Sequence, residues 1–294
     1  MNRIEREDNI FDREEIIRKT AETLVKAGST FSEDKFTAYD RVIREETGDL
    51  SCWADRTIRE NAVTAKEDQS PLCDDTGIPH IILEVGKNRN ISGELLEAVQ
   101  EGIKEGLKTL PGRPMAILGD DTERVSQSGG LNPDSEGVLP APFMLRYSEE
   151  EDRLRLTVLM QGGGPEIRAK TYRVFHKHSM DVVIDEVIRW AKEVIGQLGC
   201  SPATIAVGIG RSHYEASSMM LQAMAEGNYN KQSVYEKRIT EAVNESRVGA
   251  LGLGGNHSVL GTFIKVGPQR ASGVRIVCMR PCCCFEPRKW SVDF

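Results

Sequence analysis

Apolar residues recur at helical spacing in three early stretches of the chain. Ile16, Ile17, Leu24 and Val25 form the first stripe, preceded by an Asp12/Glu15 capping-box pattern and closed by Gly28. Ser32 precedes a second stripe of Phe36, Tyr39 and Val42, and Ser51 a third of Ala54, Ile58 and Ala62. The pattern predicts a helical N-terminal part over about residues 1–70, forming one face of the fold without chemistry of its own. Cys52 on that face reads as a small buried residue.

The pattern then changes. Ile78–Val85 reads as a strand, and Gly93–Leu110 as an amphipathic helix with Leu95, Leu96, Val99, Ile103 and Leu107 on one stripe. Gly119–Pro142 has no periodicity and reads as a long functional loop. Phe143–Tyr147 and Leu154–Met160, on either side of the acidic tip Glu149–Asp152, read as a β-hairpin. Met180–Leu198 is a helix, Thr204–Ile209 a short strand, and Ser212–Gly227 and Gln232–Arg247 two further helices. Val259–Val266 and Val274–Met279 close the series as strands. The fold class expected is α/β: a helical N-terminal layer, a mixed sheet and flanking helices.

Composition bounds the function. With 294 residues, a net charge of −7 and a pI near 5.5, the chain argues against nucleic acid as a partner. No apolar run approaches the ~20 residues of a membrane span. Met1–Asp8 is charged and lacks a signal-peptide core, so the expected location is cytoplasmic. The cysteines are Cys52, Cys73, Cys200, Cys278 and the run Cys282–Cys283–Cys284. An odd number with three consecutive members is a poor disulfide framework and a better metal-ligand set.

Candidate chemistry gathers at the turns. Cys73–Asp74–Asp75–Thr76–Gly77 places a thiol two residues before a carboxylate, at the start of a strand. Gly162–Gly163–Gly164 follows another strand, and its N–H groups are expected to hold an anion. Gly208–Ile209–Gly210 before a helix start is a second candidate anion site, although it lacks the third glycine of a dinucleotide fingerprint. Thiolates from Cys73, Cys200 and the triplet suffice for an iron–sulfur cluster with one iron free of protein ligand; spacing alone also allows zinc.

Taken in order, these motifs resemble the α-type region of the iron–sulfur hydro-lyases, the class I fumarases and L-tartrate dehydratases. The family's C-Q-D-T-G turn is matched by Cys73–Gly77, its glycine triplet by Gly162–Gly164, its Cys-Pro-Pro by Cys200–Ser201–Pro202 and its G-L-G-G turn by Gly252–Gly255. Its late cysteine falls within Cys282–Cys284. The resemblance covers nearly the whole chain. It implies a single α-type catalytic region over 1–294, with a [4Fe-4S] cluster on Cys73, Cys200 and one of the triplet. Counting back from Arg288 favours Cys283, with Cys282 and Cys284 open. It implies Asp75 as general base or its orienter, and Arg113 as the holder of a substrate carboxylate.

Departures from the family pattern are Pro165–Glu166–Ile167 after the glycines, Arg211 where G-I-G-G has its last glycine, and Gln269–Arg270–Ala271–Ser272 in place of Thr-His-Ala-Ser. Arg211 and Arg270 are expected to add cations to the substrate pocket, favouring a different or more anionic substrate than fumarate or malate. Among the histidines, His213 beside the Gly210 turn is the one to test. The family's β-type region does not follow Phe294, so a separate β-type subunit and an oligomeric assembly are expected. The leading reading is the α subunit of a lyase that removes water from a 2-hydroxy dicarboxylic acid. The alternative is a non-catalytic cluster- or zinc-bearing subunit with a structural or regulatory role.

Overall fold

A computed structural model of the chain describes residues 12–294. Asp12 caps α1 (Arg13–Ser29), accepting from the Glu14 and Glu15 N–H groups at 3.1 and 3.4 Å. α2 (Glu33–Glu45) follows Ser32 as expected. α3 (Asp49–Asp68) starts after Gly48, one turn earlier than Ser51 would have it. The buried Ser51 hydroxyl is used elsewhere: it accepts from the Ala250 N–H at 2.6 Å, across the fold. The later helices are α4 (Gly93–Thr109), α5 (Asp121–Ser126), α6 (Gly163–Glu166), α7 (Met180–Leu198), α8 (His213–Glu226) and α9 (Val234–Asn244). Among the described residues none is long and apolar enough to cross a membrane. α5 lies inside the stretch expected to be loop, fixed by a capping box between Asp120 and Glu123.

The strands are β1 (Ile78–Gly86), β2 (Met144–Ser148), β3 (Leu154–Gln161), β4 (Lys170–Phe175), β5 (Ala203–Gly210), β6 (Val259–Val266), β7 (Val274–Cys282) and β8 (Arg288–Asp293). They make two mixed four-stranded sheets, in the orders β2-β1-β3-β8 and β4-β7-β5-β6. α1 and α4 cover one face of the first sheet, through Leu24, Val99 and Ile103 against Leu83, Leu156 and Val158. Its other face, with Ile82 and Leu159, meets Ala206 and Cys278 of the second sheet and Met220 and Met224 of α8. α7 and α9 cover the far face of the second sheet with Trp190, Val187, Ile239 and Val243. The fold is therefore α/β, with two sheets instead of one.

The expected hairpin does not form. β1 lies between its two arms, parallel to β2 and antiparallel to β3. β1 takes the inner place because Ile81, Ile82 and Leu83 are buried on both faces, whereas β2 alternates in exposure and suits an edge. The acidic connection instead crosses the end of β1, where the Gly86 N–H donates to Arg153 O at 2.7 Å and the Asn88 N–H to Glu151 O at 2.9 Å. A Cβ on Gly86 would stand 2.2 Å from Glu150 O. Gly86→Ala is therefore expected to lower stability by about 1–3 kcal/mol, read as a reduced urea midpoint with an unchanged slope.

β4 and β8 are missing from the sequence pattern. Both are edge strands: β4 buries Val174 but exposes Tyr172 and Phe175, and β8 carries Arg288, Lys289 and Asp293. Charge on an edge suppresses unwanted pairing and also erases the alternation that marks a strand.

Candidate active site

Strand register brings four distant turns together. The start of β1 pairs with the end of β3 (Ile78↔Gln161), and the end of β3 with the start of β8 (Met160↔Arg288). In the second sheet the start of β5 pairs with the end of β7 (Thr204↔Cys282). The Cys73 turn, the glycine loop, the Cys200 turn and the segment from Cys283 to Pro287 thus lie at strand ends tied to one another. The Cys284 N–H donates to Cys200 O at 2.7 Å, and the Gly163 N–H to Asp75 Oδ2 at 2.8 Å.

The triplet members have different surroundings. Cys282 ends β7 and packs between the sheets with Ile82 and Leu159; burial pushes its thiol up to about 12. Cys284 packs with Phe31, Tyr39 and Leu72. Cys283 is the member whose charge opposes ionisation of both Cys73 and Cys200. A hydrogen bond from the Cys284 thiol holds the Cys283 thiol below its ordinary value. Burial raises the other two, Cys73 to about 11. All seven cysteines are free thiols. Among the described residues no three His, Cys, Asp or Glu side chains are placed to share one metal ion. Three thiols on three separate turns fit a cluster that takes one thiolate per iron better than the closed ligand set of a single zinc.

Beside the Cys73 turn is a cleft of ≈ 770 Å³ lined by Asp75, Arg113, Arg124, Gln161 and Gly163 among others. The Arg113 N–H donates to Thr76 Oγ1 at 2.9 Å, which docks the loop after α4 onto this turn. Its guanidinium reaches Asp74 at 3.3 Å in an exposed pair. Gln161 is buried, and its Nε2 has no hydrogen-bond partner. The glycine loop does not work as expected. The Gly162 N–H is taken by Glu286 Oε1 at 2.6 Å, and the Gly163 N–H by Asp75. Those two groups orient protein carboxylates and are not left open for an anion; Gly164 offers its carbonyl to Arg168.

A buried charge network supports this loop. Arg280 donates to Glu286 Oε2 at 2.6 Å, to Glu166 at 3.0 Å and to Gly162 O at 3.1 Å. Arg288 donates to Asp75 O at 2.8 Å and approaches Glu286 at 3.7 Å. Burial works to raise the Glu286 carboxyl, but Arg280 overrides it and holds the group below the usual carboxylate range. The side chains of Arg280 and Glu286 are both 0% exposed. Glu286→Gln would leave the buried Arg280 with only the more exposed Glu166 as an anionic partner and is expected to cost about 3–5 kcal/mol, measured by urea unfolding. His80, on β1, is also close, pushed down chiefly by burial and further by the positive charge of Arg280. Sequence reading used Arg288 as a landmark for the last cysteine but gave no role to His80, Arg280 or Glu286. The one signal for Arg280 was a charge between Met279 and Pro281 in a largely apolar strand.

Two expected pocket residues lie elsewhere. Arg211 follows the far end of β5, roughly 23 Å along the strand from its start near Cys200. Its guanidinium is engaged by Glu215, and it lines a different cleft with Met144 and Tyr214. Arg270 sits exposed in the β6–β7 loop at that same end, where Gln269 reaches Ile209 O. His213 opens α8 there too. The length of β5 is what separates all three from Asp75.

The family model described as fumarate hydratase (Fumerase) matches residues 17–292. A Methanocaldococcus jannaschii protein named putative L(+)-tartrate dehydratase subunit alpha is 28% identical over 270 residues, covering 87% of this chain and 90% of its own. A Geobacillus stearothermophilus protein named putative fumarate hydratase class I is 27% identical over 237 residues, 76% of this chain but 44% of its own length. The Escherichia coli L(+)-tartrate dehydratase subunit alpha is 24% identical over 247 residues, 81% of this chain and 77% of its own. With a match spanning almost its entire length, and with the motif-bearing turns gathered at one set of strand ends, this chain belongs to the fumarate hydratase (Fumerase) family.

Proposed function

We propose that the chain is the α-type subunit of a hydro-lyase that reversibly removes water from a 2-hydroxy dicarboxylic acid, of the fumarate hydratase or L-tartrate dehydratase type. Support for this reading comes from the strand register, which gathers the turns bearing Cys73, Cys200 and Cys283 at joined strand ends, next to a cleft lined by Asp75 and Arg113. Cys73, Cys200 and Cys283 would hold a [4Fe-4S] cluster, which supplies a Lewis-acidic iron for the departing hydroxyl when bound.

The chain's own residues do the rest. Asp75 takes the proton from the carbon next to a substrate carboxylate, with Oδ2 held by the Gly163 N–H and its backbone by Arg288. Arg113 grips a carboxylate with its planar fork. Its exposed pair with Asp74 is worth little, so substrate displaces Asp74 at small cost. The unpartnered Gln161 amide supplies a further neutral donor in the same cleft. Arg113→Lys loses the bidentate fork and is expected to raise KM about 10–100-fold with a smaller change in kcat, measured by steady-state kinetics.

The relatives named as alpha subunits, and the exposed apolar residues Ile78, Leu131 and Leu139 that line the cleft, support a β-type partner that covers it. The test is anaerobic co-purification with that partner, then dehydration assays on malate and L-tartrate. Turnover by the pair with little from the chain alone is expected. No turnover of any 2-hydroxy dicarboxylate by the cluster-loaded pair would sink the proposal.

A further inference from the structure

α2 sets two buried polar side chains on one face, four residues apart. Lys35 is 1% exposed and Tyr39 0%. Lys35 Nζ donates to Glu286 O at 2.8 Å, and Tyr39 Oη to Cys284 O at 2.9 Å. Both bonds end on the turn that follows Cys283, which is itself closed by the Glu286 N–H donating to Cys283 O at 2.9 Å. Phe31 completes the arrangement: its ring stacks on Tyr39 at 5.5 Å and lies 4.2 Å below the Lys35 ammonium.

A fully buried ammonium is costly unless an anion offsets it. Among the described residues no carboxylate comes within ion-pair distance of Lys35. The groups that favour its charged form are the Cys283 thiol first, then Cys284 and Cys282, and only then the Glu286 carboxyl. Glu286 is already matched by Arg280 and Arg288. The uncompensated positive charge in this core therefore faces the triplet.

We propose that Lys35 and Tyr39 are positioning residues that clasp the Cys283 turn, and that the Lys35 ammonium is the fixed counter-charge to the thiolates there. This rests on the reading that Cys283 ligates a [4Fe-4S] cluster. The two residues have separable roles: Tyr39 contributes a hydrogen bond without charge, and Lys35 contributes both. A positive charge held close to a cluster favours its reduced, more negative state, and the groups around metal ligands tune affinity about tenfold or more.

The test uses the full chain, reconstituted anaerobically, with its fold checked by circular dichroism. Two quantities are read: the rate of cluster bleaching by a chelator, and the midpoint potential from a redox titration followed by electron paramagnetic resonance. Lys35→Met is expected to bleach about tenfold faster and to have a more negative midpoint. Lys35→Arg restores the midpoint. Tyr39→Phe bleaches faster with the wild-type midpoint. Lys35→Gln keeps a donor for Glu286 O without the charge; it takes the place of Lys35→Met if that variant does not fold, with the same negative shift expected. A folded Lys35→Met or Lys35→Gln chain with the wild-type midpoint and bleaching rate overturns the proposal alone. A wild-type chain that takes up no cluster overturns the functional reading and this proposal with it.

Discussion

Asp75→Asn is expected to lower kcat by about 10²–10⁴-fold while leaving iron and sulfide content at the wild-type level. The two halves of that result have different physical origins. The amide keeps the size of the carboxylate, and its oxygen still accepts from the Gly163 N–H, which Asp75 Oδ2 meets at 2.8 Å. Arg288 binds the Asp75 backbone carbonyl and is indifferent to the side chain. The glycine loop and the Cys73 turn therefore keep their shape. What is lost is the ability to accept a proton from a substrate in the cleft. Steady-state kinetics with metal analysis on the same sample reads both halves. Normal turnover with a full complement of iron would remove Asp75 as the base.

The second large effect separates the cysteines. Cys73→Ser, Cys200→Ser and Cys283→Ser are each expected to give colourless protein without stably bound iron, because a serine hydroxyl is a far poorer iron ligand than a thiolate. Cys52→Ser and Cys278→Ser are expected to keep the cluster. The Cys52 thiol reaches Ile43 O at 3.6 Å on the helical face, and Cys278 is buried between the sheets. Cys284 is the sharper comparison. It neighbours Cys283 but packs among Phe31, Tyr39 and Leu72, so Cys284→Ala should load iron where Cys283→Ala does not. Absorbance and iron content across the set decide the assignment; iron loading by Cys283→Ala would move the ligand to another member of the triplet.

Local periodicity made several elements legible. α7 at Met180–Leu198 and β6 at Val259–Val266 have the bounds that their apolar spacing predicts, and α4 differs by its last residue. Pairing was not legible. β2 and β3 are close in sequence and separated by an acidic turn, which is what a hairpin looks like, yet β1 fits between them because it is apolar on both faces. β4 and β8 were hidden by the charges that edge strands carry. The glycine turn likewise marked the end of β5 without revealing which end of that strand lies near Asp75. That is why Arg211 was expected near Asp75 and lies at the other end, bound to Glu215. The Gly162 and Gly163 N–H groups were expected to meet an anion. Glu286 and Asp75, distant in sequence, reach them first. Motif order singled out Cys73, Cys200 and the triplet, and the turns that carry them lie at strand ends that the register joins.

The proposed function requires an iron–sulfur cluster, assigned by proposal to Cys73, Cys200 and Cys283. Metal and acid-labile sulfide analysis of the anaerobically purified chain, with its electron paramagnetic resonance spectrum before and after reduction, tests it most directly. Iron and sulfide in equal amounts, a spectrum of the [4Fe-4S] type, and loss of both in the Cys283→Ser chain are expected. Zinc without sulfide, or iron and sulfide retained in full by Cys283→Ser, would contradict it.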